Sequence, residues 1–458
     1  MKVIICGAGQ VGSSIARQLA SEGNDVTVID LAEELIHKIG DAYDVQGIVG
    51  FASHPEVLER AGTADADMLI AVTFSDEVNM VACQVAHALF NVPTRIARIR
   101  AQNYLNPEWA KLFGPDRMPI DVVISPEIEV ARAILRRLQV PGAFDMMPFV
   151  DDRVRLIGVR LTDECPVLNT QLRELTALFP DLNAVVTGIV RDDRLTVPGS
   201  DEQLRRGDEI YFVADTAQVP RAMSIFGHDE QEARRMIIIG AGNVGLFLAN
   251  QIEEVNPSVK LKLIESNKAR AEYVADKLRH SVVLHGDALD GEILGEANVR
   301  ATEAVIALTN DDEVNILASL LAKRAGCPRA ITLVNSRAYG TLIASLGIDV
   351  AVNPRATTVS TILQHIRRGR IRSVQSLRDG AAEVLEAEAL ETSSLVGKPL
   401  RDVDLPDGTI VGAVVRGEQV IVPRGDTVIE AKDRVVMFAL KDAVKKVEKL
   451  FSVRLDFF

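Results

Sequence analysis

A short apolar run leading into a glycine-rich turn occurs twice in this 458-residue chain, and this duplication constrains the fold more than any other feature. The two copies read MKVIICGAGQVG and MIIIGAGNVG. Each run is typical of a buried parallel strand, and each G-x-G-x-x-G motif leads into a helix whose free N–H groups can face a pyrophosphate. The sequence therefore predicts two nucleotide-binding turns. Their residues are Gly7, Ala8, Gly9, Gln10, Val11 and Gly12 in the first copy, and Gly240, Ala241, Gly242, Asn243, Val244 and Gly245 in the second.

An acidic residue follows each glycine motif at the distance expected for a ribose contact. Asp30 lies eighteen residues after Gly12, and Glu265 lies twenty residues after Gly245. A carboxylate at the tip of the second strand can accept both ribose hydroxyls and repel a 2′-phosphate. The pattern favours NAD(H) over NADP(H), and a strand-to-helix turn that merely packs closely is the alternative.

The surroundings of the two motifs repeat as well. The offset is 233 residues between Gly7 and Gly240 (240 − 7) and 236 residues between Thr73 and Thr309 (309 − 73). Such a small drift fits loop insertions within one duplicated unit. The predicted fold class is α/β, with two Rossmann-type doubly wound parallel sheets, each followed by a small β-rich α+β domain, in tandem.

These patterns divide the chain into six segments. The first Rossmann domain is predicted at residues 1–125, a crossover helix and linker at 126–148, and the first small domain at 149–227; the second copies are predicted at 234–352, 353–372 and 373–458.

The segments that leave the Rossmann domains raise further expectations. A helix at 126–140 should bury a stripe formed by Ile128, Ala131, Leu135 and Leu138, either on its own domain or in an interface. The stretch PGAFDMMPFVDD after it is predicted to be a linker. The arginine-rich run at 365–378 is predicted to be a solvated helix end or linker, or else a docking patch for an acidic partner or an anionic membrane.

Residues at the ends of later strands complete the predicted crevices. Thr73 and Phe74 follow the fourth strand of the first copy, and Thr309 and Asn310 follow that of the second. The fifth strand of the first copy, RIARIRA, carries Arg98, which could pair with a phosphate. Its counterpart, ITLVNS, has no arginine, so the two pockets are expected to differ in ligand. Asp76 is predicted to cap the next helix, and Asn79 and Asn315 to cap or pack.

Composition and absent motifs exclude several function classes. The net charge of −13 argues against a nucleic-acid binder, and no apolar run is long enough to span a bilayer. The four cysteines are scattered, as is typical of reduced thiols in a cytosolic protein without a signal peptide. The seven histidines form no metal or catalytic motif. Two nucleotide sites without catalytic machinery favour sensing over an NAD-dependent oxidoreductase.

Taken together, GAGQVG with Asp30, the T-x-D-D-E-x-N run and the β-rich unit, all repeated, resemble the regulator-of-potassium-conductance family, and the tandem order is similar to that of peripheral subunits of bacterial Trk-type systems. The resemblance covers the whole chain. It implies a non-enzymatic regulatory subunit that forms a cytoplasmic homo-oligomer, a dimer or tetramer ring, on the inner face of the cell membrane. It also implies an integral-membrane potassium-translocating subunit as partner, and NAD(H), or ATP or ADP, as ligand. A nucleotide-sensing scaffold of another transporter is the alternative.

The resemblance also implies which residues contact the nucleotide. Phe51 stands where the family usually shows aspartate, whereas the second copy keeps Asp287 at that position and lacks an equivalent of Arg98. The N-terminal copy is therefore expected to be the main NAD(H) site. The implied contacts are Gly7, Gly9, Gln10, Val11, Gly12, Asp30, Thr73, Phe74 and Arg98, and then Gly240, Gly242, Asn243, Val244, Gly245, Glu265, Asp287, Thr309 and Asn310.

Overall fold

The computed structural model describes residues 1–114, 116–336, 339, 342–343, 346–366 and 371–451. By internal contacts the chain forms two compact units. Unit 1 comprises Met1–Ala133, Ile237–Ile348 and Val352–His365, and unit 2 comprises Ile134–Met236, Asp349–Ala351 and Ile366–Phe458. The two Rossmann repeats therefore share unit 1, and the two small domains share unit 2.

The first Rossmann repeat is a six-stranded parallel sheet in the order β3-β2-β1-β4-β5-β6, as the doubly wound pattern predicts. Its strand β1 is buried from Val3 to Cys6 because apolar residues fill both faces. The chain reverses direction along the sheet between β1 and β4, which is where such folds bind ligands. The strands are β1 Lys2–Cys6, β2 Asp25–Asp30, β3 Gln46–Val49, β4 Met68–Ala71, β5 Thr94–Arg98 and β6 Val122–Ile124; the helices are α1 Gln10–Ser21, α2 Glu33–Ala42, α3 Pro55–Arg60 and α4 Asp76–Phe90.

The crossover helix and the first small domain differ from expectation in two details. Helix α5, Pro126–Leu138, buries Val130, Ala131, Ile134 and Leu138, whereas the predicted stripe residues Ile128 and Leu135 are only half-buried. The predicted linker contains strand β7, Ala143–Phe149, which pairs antiparallel with β8, Val154–Arg160. The remaining elements are β9 Ala184–Arg191, β10 Arg194–Thr196, β11 Glu209–Asp215, α6 Leu172–Leu178 and α7 Val219–Ile225, in the sheet order β10-β9-β11-β8-β7.

The second Rossmann repeat has the same strand order as the first, β14-β13-β12-β15-β16-β17. The duplication inferred from the residue offsets is therefore a duplication of topology. The strands are β12 Arg235–Ile239, β13 Lys260–Glu265, β14 Val282–His285, β15 Ala304–Ala307, β16 Arg329–Leu333 and β17 Val350–Val352; the helices are α8 Asn243–Val255, α9 Lys268–Ala275, α10 Gly291–Glu296, α11 Asp312–Arg324 and the crossover helix α12 Pro354–Gln364.

The second small domain corrects the prediction for the arginine-rich run. Residues 371–377 of that run form an edge strand rather than a linker, and residues 367–370 lie outside the described part of the chain. The elements are β18 Ile371–Leu377, β19 Ala382–Glu388, β20 Thr409–Arg416, β21 Gln419–Ile421, β22 Arg434–Leu440 and α13 Val444–Leu450, in the sheet order β18-β19-β22-β20-β21.

The two small sheets share one apolar core within unit 2. Phe149, Tyr211 and Val213 of the first sheet pack with Phe438 and Val384 of the second, and all five are buried. Complete burial of a side chain such as Phe438 stabilises the fold by about 2–3 kcal/mol. Across the described ranges, no helix is long and apolar enough to cross a membrane.

Candidate functional site

The glycine-rich turns have the geometry that a close approach of phosphate requires. Gly7 has φ +110°, and a Cβ on Gly12 would lie 1.8 Å from the Gly7 carbonyl oxygen, so α1 packs against its own turn. A Cβ on Gly9 would meet nothing within 4 Å. The second turn repeats this arrangement, because a Cβ on Gly245 would lie 2.1 Å from the Gly240 oxygen and one on Gly242 would be unobstructed. Open space therefore lies in front of the helix N-terminus in both copies.

Each predicted ribose-binding carboxylate is held against its glycine turn. Asp30 Oδ2 accepts a hydrogen bond from Ala8 N at 2.6 Å, and its Oδ1 accepts one from Ala32 N at 2.9 Å. Glu265 accepts equivalent bonds from Ala241 N at 2.8 Å and Asn267 N at 2.9 Å. A carboxylate has about four lone-pair sites, so both groups keep acceptor capacity for ribose hydroxyls.

A buried asparagine fixes the fourth strand end in each repeat. Asn315 Oδ1 accepts from Thr309 N at 2.8 Å and from its hydroxyl at 2.7 Å. Its amide nitrogen donates to the carbonyl oxygens of Thr309 and Leu333, each at 3.0 Å. Asn79 makes the same four bonds to Thr73 and Arg98. The asparagines therefore pack, as expected, and they position the threonines at the crevice.

Asp76, which the sequence predicts to be a helix cap, has a different role in the structure. The cap of α4 is Ser75, which accepts from Val78 N. Asp76 instead accepts from the backbone N–H groups of Arg100 at 3.0 Å and Ala101 at 2.8 Å, which ties the end of β5 to α4. Asp312 makes the equivalent bonds in the second repeat. Asp76 and Asp312 each begin the sequence DEVN, which occurs once in each repeat, and this repetition was the sequence signal for the shared role.

A cavity of about 1030 Å³ lies within unit 1 and brings together predicted residues from both repeats. Eight come from the second repeat: Gly240, Gly242, Asn243, Val244, Glu265, Asp287, Thr309 and Asn310. Three come from the first: Gln10, Val11 and Arg98. The predicted residues that do not line it are Gly7, Ala8, Gly9, Gly12, Asp30, Thr73, Phe74, Ala241 and Gly245. The cavity is thus built on the second turn and completed by the first repeat.

Four arginines line this cavity, although the carboxyl end of β16 has none. Arg98 and Arg100 come from the first repeat, and Arg270 and Arg355 from the second. The bond from Asn315 to the Leu333 oxygen places Leu333 where the first repeat has Arg98. The end of this strand therefore lacks an arginine, as the sequence showed, but the expectation that the second pocket has no arginine is wrong.

The two arginines from the first repeat, Arg98 and Arg100, are only partly engaged by protein groups. Arg98 Nη2 donates to the Thr73 oxygen at 2.8 Å, while its Nε is buried without a hydrogen-bond partner. Burial lowers the pKa of Arg98, and the nearby Arg100 guanidinium lowers it further. Arg100 pairs with Glu127 at 3.1 Å and lies 5.6 Å from the ring of Phe74, which is 85% exposed. A buried donor with unused capacity beside a glycine turn suits an anionic ligand.

The types of side chain that line the cavity bear on whether the site could be catalytic. It contains no histidine, lysine, cysteine or tyrosine among the described residues. Within the same part of the chain, no three or more histidine, cysteine, aspartate or glutamate side chains are grouped so as to hold a metal ion.

Comparisons with protein families give the same four-part organisation. The TrkA-N domain family matches residues 3–126 and 236–354. The TrkA-C domain family matches residues 156–227 and 384–452.

Full-length relatives and solved structures agree. A Trk system potassium uptake protein TrkA of Azorhizobium caulinodans is 57% identical over all of both chains, and one of Halomonas elongata is 42% identical over all of both. The crystal structure of the GsuK RCK domain has a TM-score of 0.60 at 16% identity and covers 99% of this chain and 95% of its own. The GsuK channel bound to NAD has a TM-score of 0.59 at 17% identity, covering 99% and 79%. The structural likeness confirms the tandem fold.

Proposed function

The chain belongs to the TrkA family of Trk-system potassium uptake proteins, and from this premise we propose that it is a regulatory subunit whose shared cavity binds an adenine nucleotide or NAD(H). Its partner would be the integral-membrane potassium-translocating Trk subunit. The chain would act at the cytoplasmic face of the membrane, as a homo-oligomer.

The observation that carries the proposal is the composition of the cavity. The turn at Gly242 opens the N-terminus of α8 to a pyrophosphate, and Glu265 stands at the tip of the second strand for a ribose. Arg98 and Arg100 add cationic donors from the first repeat. A volume of about 1030 Å³ lies at the upper end of the usual range for ligand sites, so a nucleotide fits.

This composition favours the second turn over the first as the main site. The sequence favoured the first turn because Asp30 and Arg98 both belong to that repeat. Arg98, however, lines the cavity at the second turn, whereas Asp30 does not. We therefore assign the principal nucleotide site to the second turn. The GsuK channel bound to NAD shows that a protein of this fold can hold the dinucleotide.

Regulation requires that the ligand bind two states of the protein unequally. A cavity whose walls come from both repeats meets this condition, because any movement of one repeat against the other changes the contacts with the ligand. Coupling free energies of about 1–3 kcal/mol change the balance of states about 5- to 150-fold. Such a change is sufficient to control flux through a partner.

Calorimetry on the full chain with NADH, NAD⁺, ATP and ADP tests the binding site. Glu265→Ala removes a carboxylate that lines the cavity, and Asp30→Ala removes its equivalent, which does not. We expect the first substitution to weaken binding at least about tenfold, or about 1.4 kcal/mol, and the second to leave the principal site intact. The reverse order of effects would return the site to the first turn.

Potassium flux into vesicles that contain the membrane subunit tests the regulatory role. Nucleotide should change the flux only when the chain is present, and the Glu265→Ala chain should require a higher concentration. A flux indifferent to the chain would favour a scaffold for another transporter. The described lining has carboxylates but no histidine, lysine, cysteine or tyrosine, which favours binding over hydride transfer, and steady consumption of NADH would contradict this.

A further inference from the structure

The apolar contact between the two small domains of unit 2 does not by itself select a partner. Phe149, Tyr211 and Val213 on one side and Phe438 and Val436 on the other are all buried in one cluster. Hydrophobic burial is non-directional. Because the two domains have the same fold, a like domain from another chain could present a similar apolar face. Selection of the partner must therefore come from the margin of this contact.

Ion pairs lie at two corners of the contact. At one corner Arg378 pairs with Glu209 and, at 3.7 Å, with Asp193. At the other corner Arg434 pairs with Asp151. In each of these three pairs the carboxylate belongs to the first small domain and the guanidinium to the second. Two carboxylates also have partners within their own domains. The buried Glu386 of the second domain pairs with Arg434 and accepts from Val150 N across the contact at 2.8 Å, and Glu209 pairs with Arg160 of the first domain.

The two corners are related by the internal duplication. Glu209 and Arg434 are the first residues of β11 and β22, and they are 225 positions apart (434 − 209). Val150 and Arg378 are the first residues after β7 and β18, and both have positive φ, 52° and 46°. The same structural position thus carries opposite charge in the two domains.

A pairing of like domains would bring like charges together. Two first domains would place Glu209 against the turn that carries Asp151, with no counterpart of Arg378. Two second domains would place Arg434 beside Arg378. Like charges brought together at an interface suppress wrong partners, while the unlike pairing gains opposite charges at both corners.

We propose that these corner charges make each small domain select the unlike small domain of the repeat as its partner and reject its own kind. The acidic corner residues of the first domain and the arginines of the second form a matched set, and the apolar centre supplies the affinity. This selection keeps the tandem repeat closed on itself instead of cross-linking chains through like domains.

The substitution Arg378→Glu tests the proposal in the full chain. It places a carboxylate against Glu209 and Asp193, and it makes the second domain complementary to its own kind through Arg434. We expect the melting temperature to fall by about 2–8 °C, since each kcal/mol corresponds to about 2–4 °C in a unit of this size. We also expect the molar mass from light scattering to rise with chain concentration above that of the unsubstituted chain.

Three comparisons separate charge from other effects. Arg378→Gln removes attraction without adding repulsion, so the melting temperature should fall less and the mass should not rise. Arg173→Glu makes the same charge change at an exposed pair with Asp201 outside the contact, and both readouts should stay unchanged. Adding Glu209→Gln to Arg378→Glu, or raising the salt to about 1 M, where the Debye length is about 3 Å, should recover much of the melting temperature.

The second corner provides an independent variant should Arg378→Glu not fold. Asp151→Lys places a cation against Arg434 and should reproduce the lower melting temperature and its recovery in salt. The proposal is overturned if the corner variants melt like Arg173→Glu, or if they lower the melting temperature without salt recovery and without any rise in mass.

Discussion

Substitution of the middle glycine of the second turn should separate ligand binding from folding. A Cβ on Gly242 meets no atom within 4 Å, and the residue has an extended conformation that alanine also adopts. Alanine lowers the entropy of the unfolded chain, worth about 0.4–1 kcal/mol, but it is the poorer helix cap by a comparable amount. The two effects offset each other, so Gly242→Ala should change the free energy of unfolding by less than about 0.5 kcal/mol.

The same methyl group should weaken nucleotide binding strongly. It would project into the open space before the N-terminus of α8, where the pyrophosphate must approach the backbone N–H groups. We expect a loss of at least about tenfold in affinity, or about 1.4 kcal/mol. The matched variant Gly9→Ala adds a methyl group at the equivalent residue of the first turn. Gly9 does not line the cavity, although Gln10 and Val11 of the same turn do, so this variant should leave the affinity of the principal site unchanged.

Substitution of Gly245, the third glycine of the second turn, is a control that should weaken folding. A Cβ on Gly245 would lie 2.1 Å from the Gly240 carbonyl oxygen, more than 1 Å closer than van der Waals contact, and a backbone atom cannot swing aside. Overpacking usually costs about 1–3 kcal/mol, so Gly245→Ala should reach about 3 kcal/mol. Urea unfolding gives the stability and calorimetry the affinity. Weakened folding but normal binding in Gly242→Ala would refute this reasoning.

Three further predictions concern stability, each measured by urea unfolding. Burial alone would raise the pKa of Glu253, but three backbone N–H groups and the Ser281 hydroxyl lower it to about 2. Its contribution, about 1–2 kcal/mol once solvent screening is allowed for, should be complete above pH 4.5 and disappear as the pH falls towards 2, and Glu253→Gln should abolish that dependence. Asn315→Ala should cost about 2–4 kcal/mol because it leaves Thr309 N and the Leu333 oxygen unpaired, and Asn315→Asp should not recover this stability because it turns a buried carboxylate oxygen towards the Thr309 and Leu333 oxygens. Phe438→Ala should cost about 3–5 kcal/mol, whereas Trp109→Ala, at a 58% exposed site, should cost under about 0.5 kcal/mol.

Some features of the candidate site could be predicted from the sequence, and others could not. The three roles within each glycine motif were predictable because they depend on backbone geometry over six residues. The tie from Asp76 to Arg100 and Ala101 was not, because an aspartate at the start of a helix is most simply explained as a cap. Only the position of the neighbouring strand end shows where its oxygens point.

The missed strands have a similar explanation. Strand β7 contains Pro148, and β18 follows a run of arginines, so neither stretch has the apolar alternation of a typical strand. Both are edge strands, and an edge strand needs a partner along only one side. Their structure depends on antiparallel pairing with β8 and β19, which are better strand formers.

The sequence by itself determined the duplicated α/β fold and the two glycine turns, since these follow from local periodicity, glycine conformation and connection rules that act over short stretches. Only the tertiary structure decided which side chains of the two repeats enclose the cavity at the second turn. Arg98 and Glu265 are 167 positions apart and belong to different repeats (265 − 98), yet they line one cavity. The packing of one repeat against the other brings them together, and no local pattern in the chain records that packing.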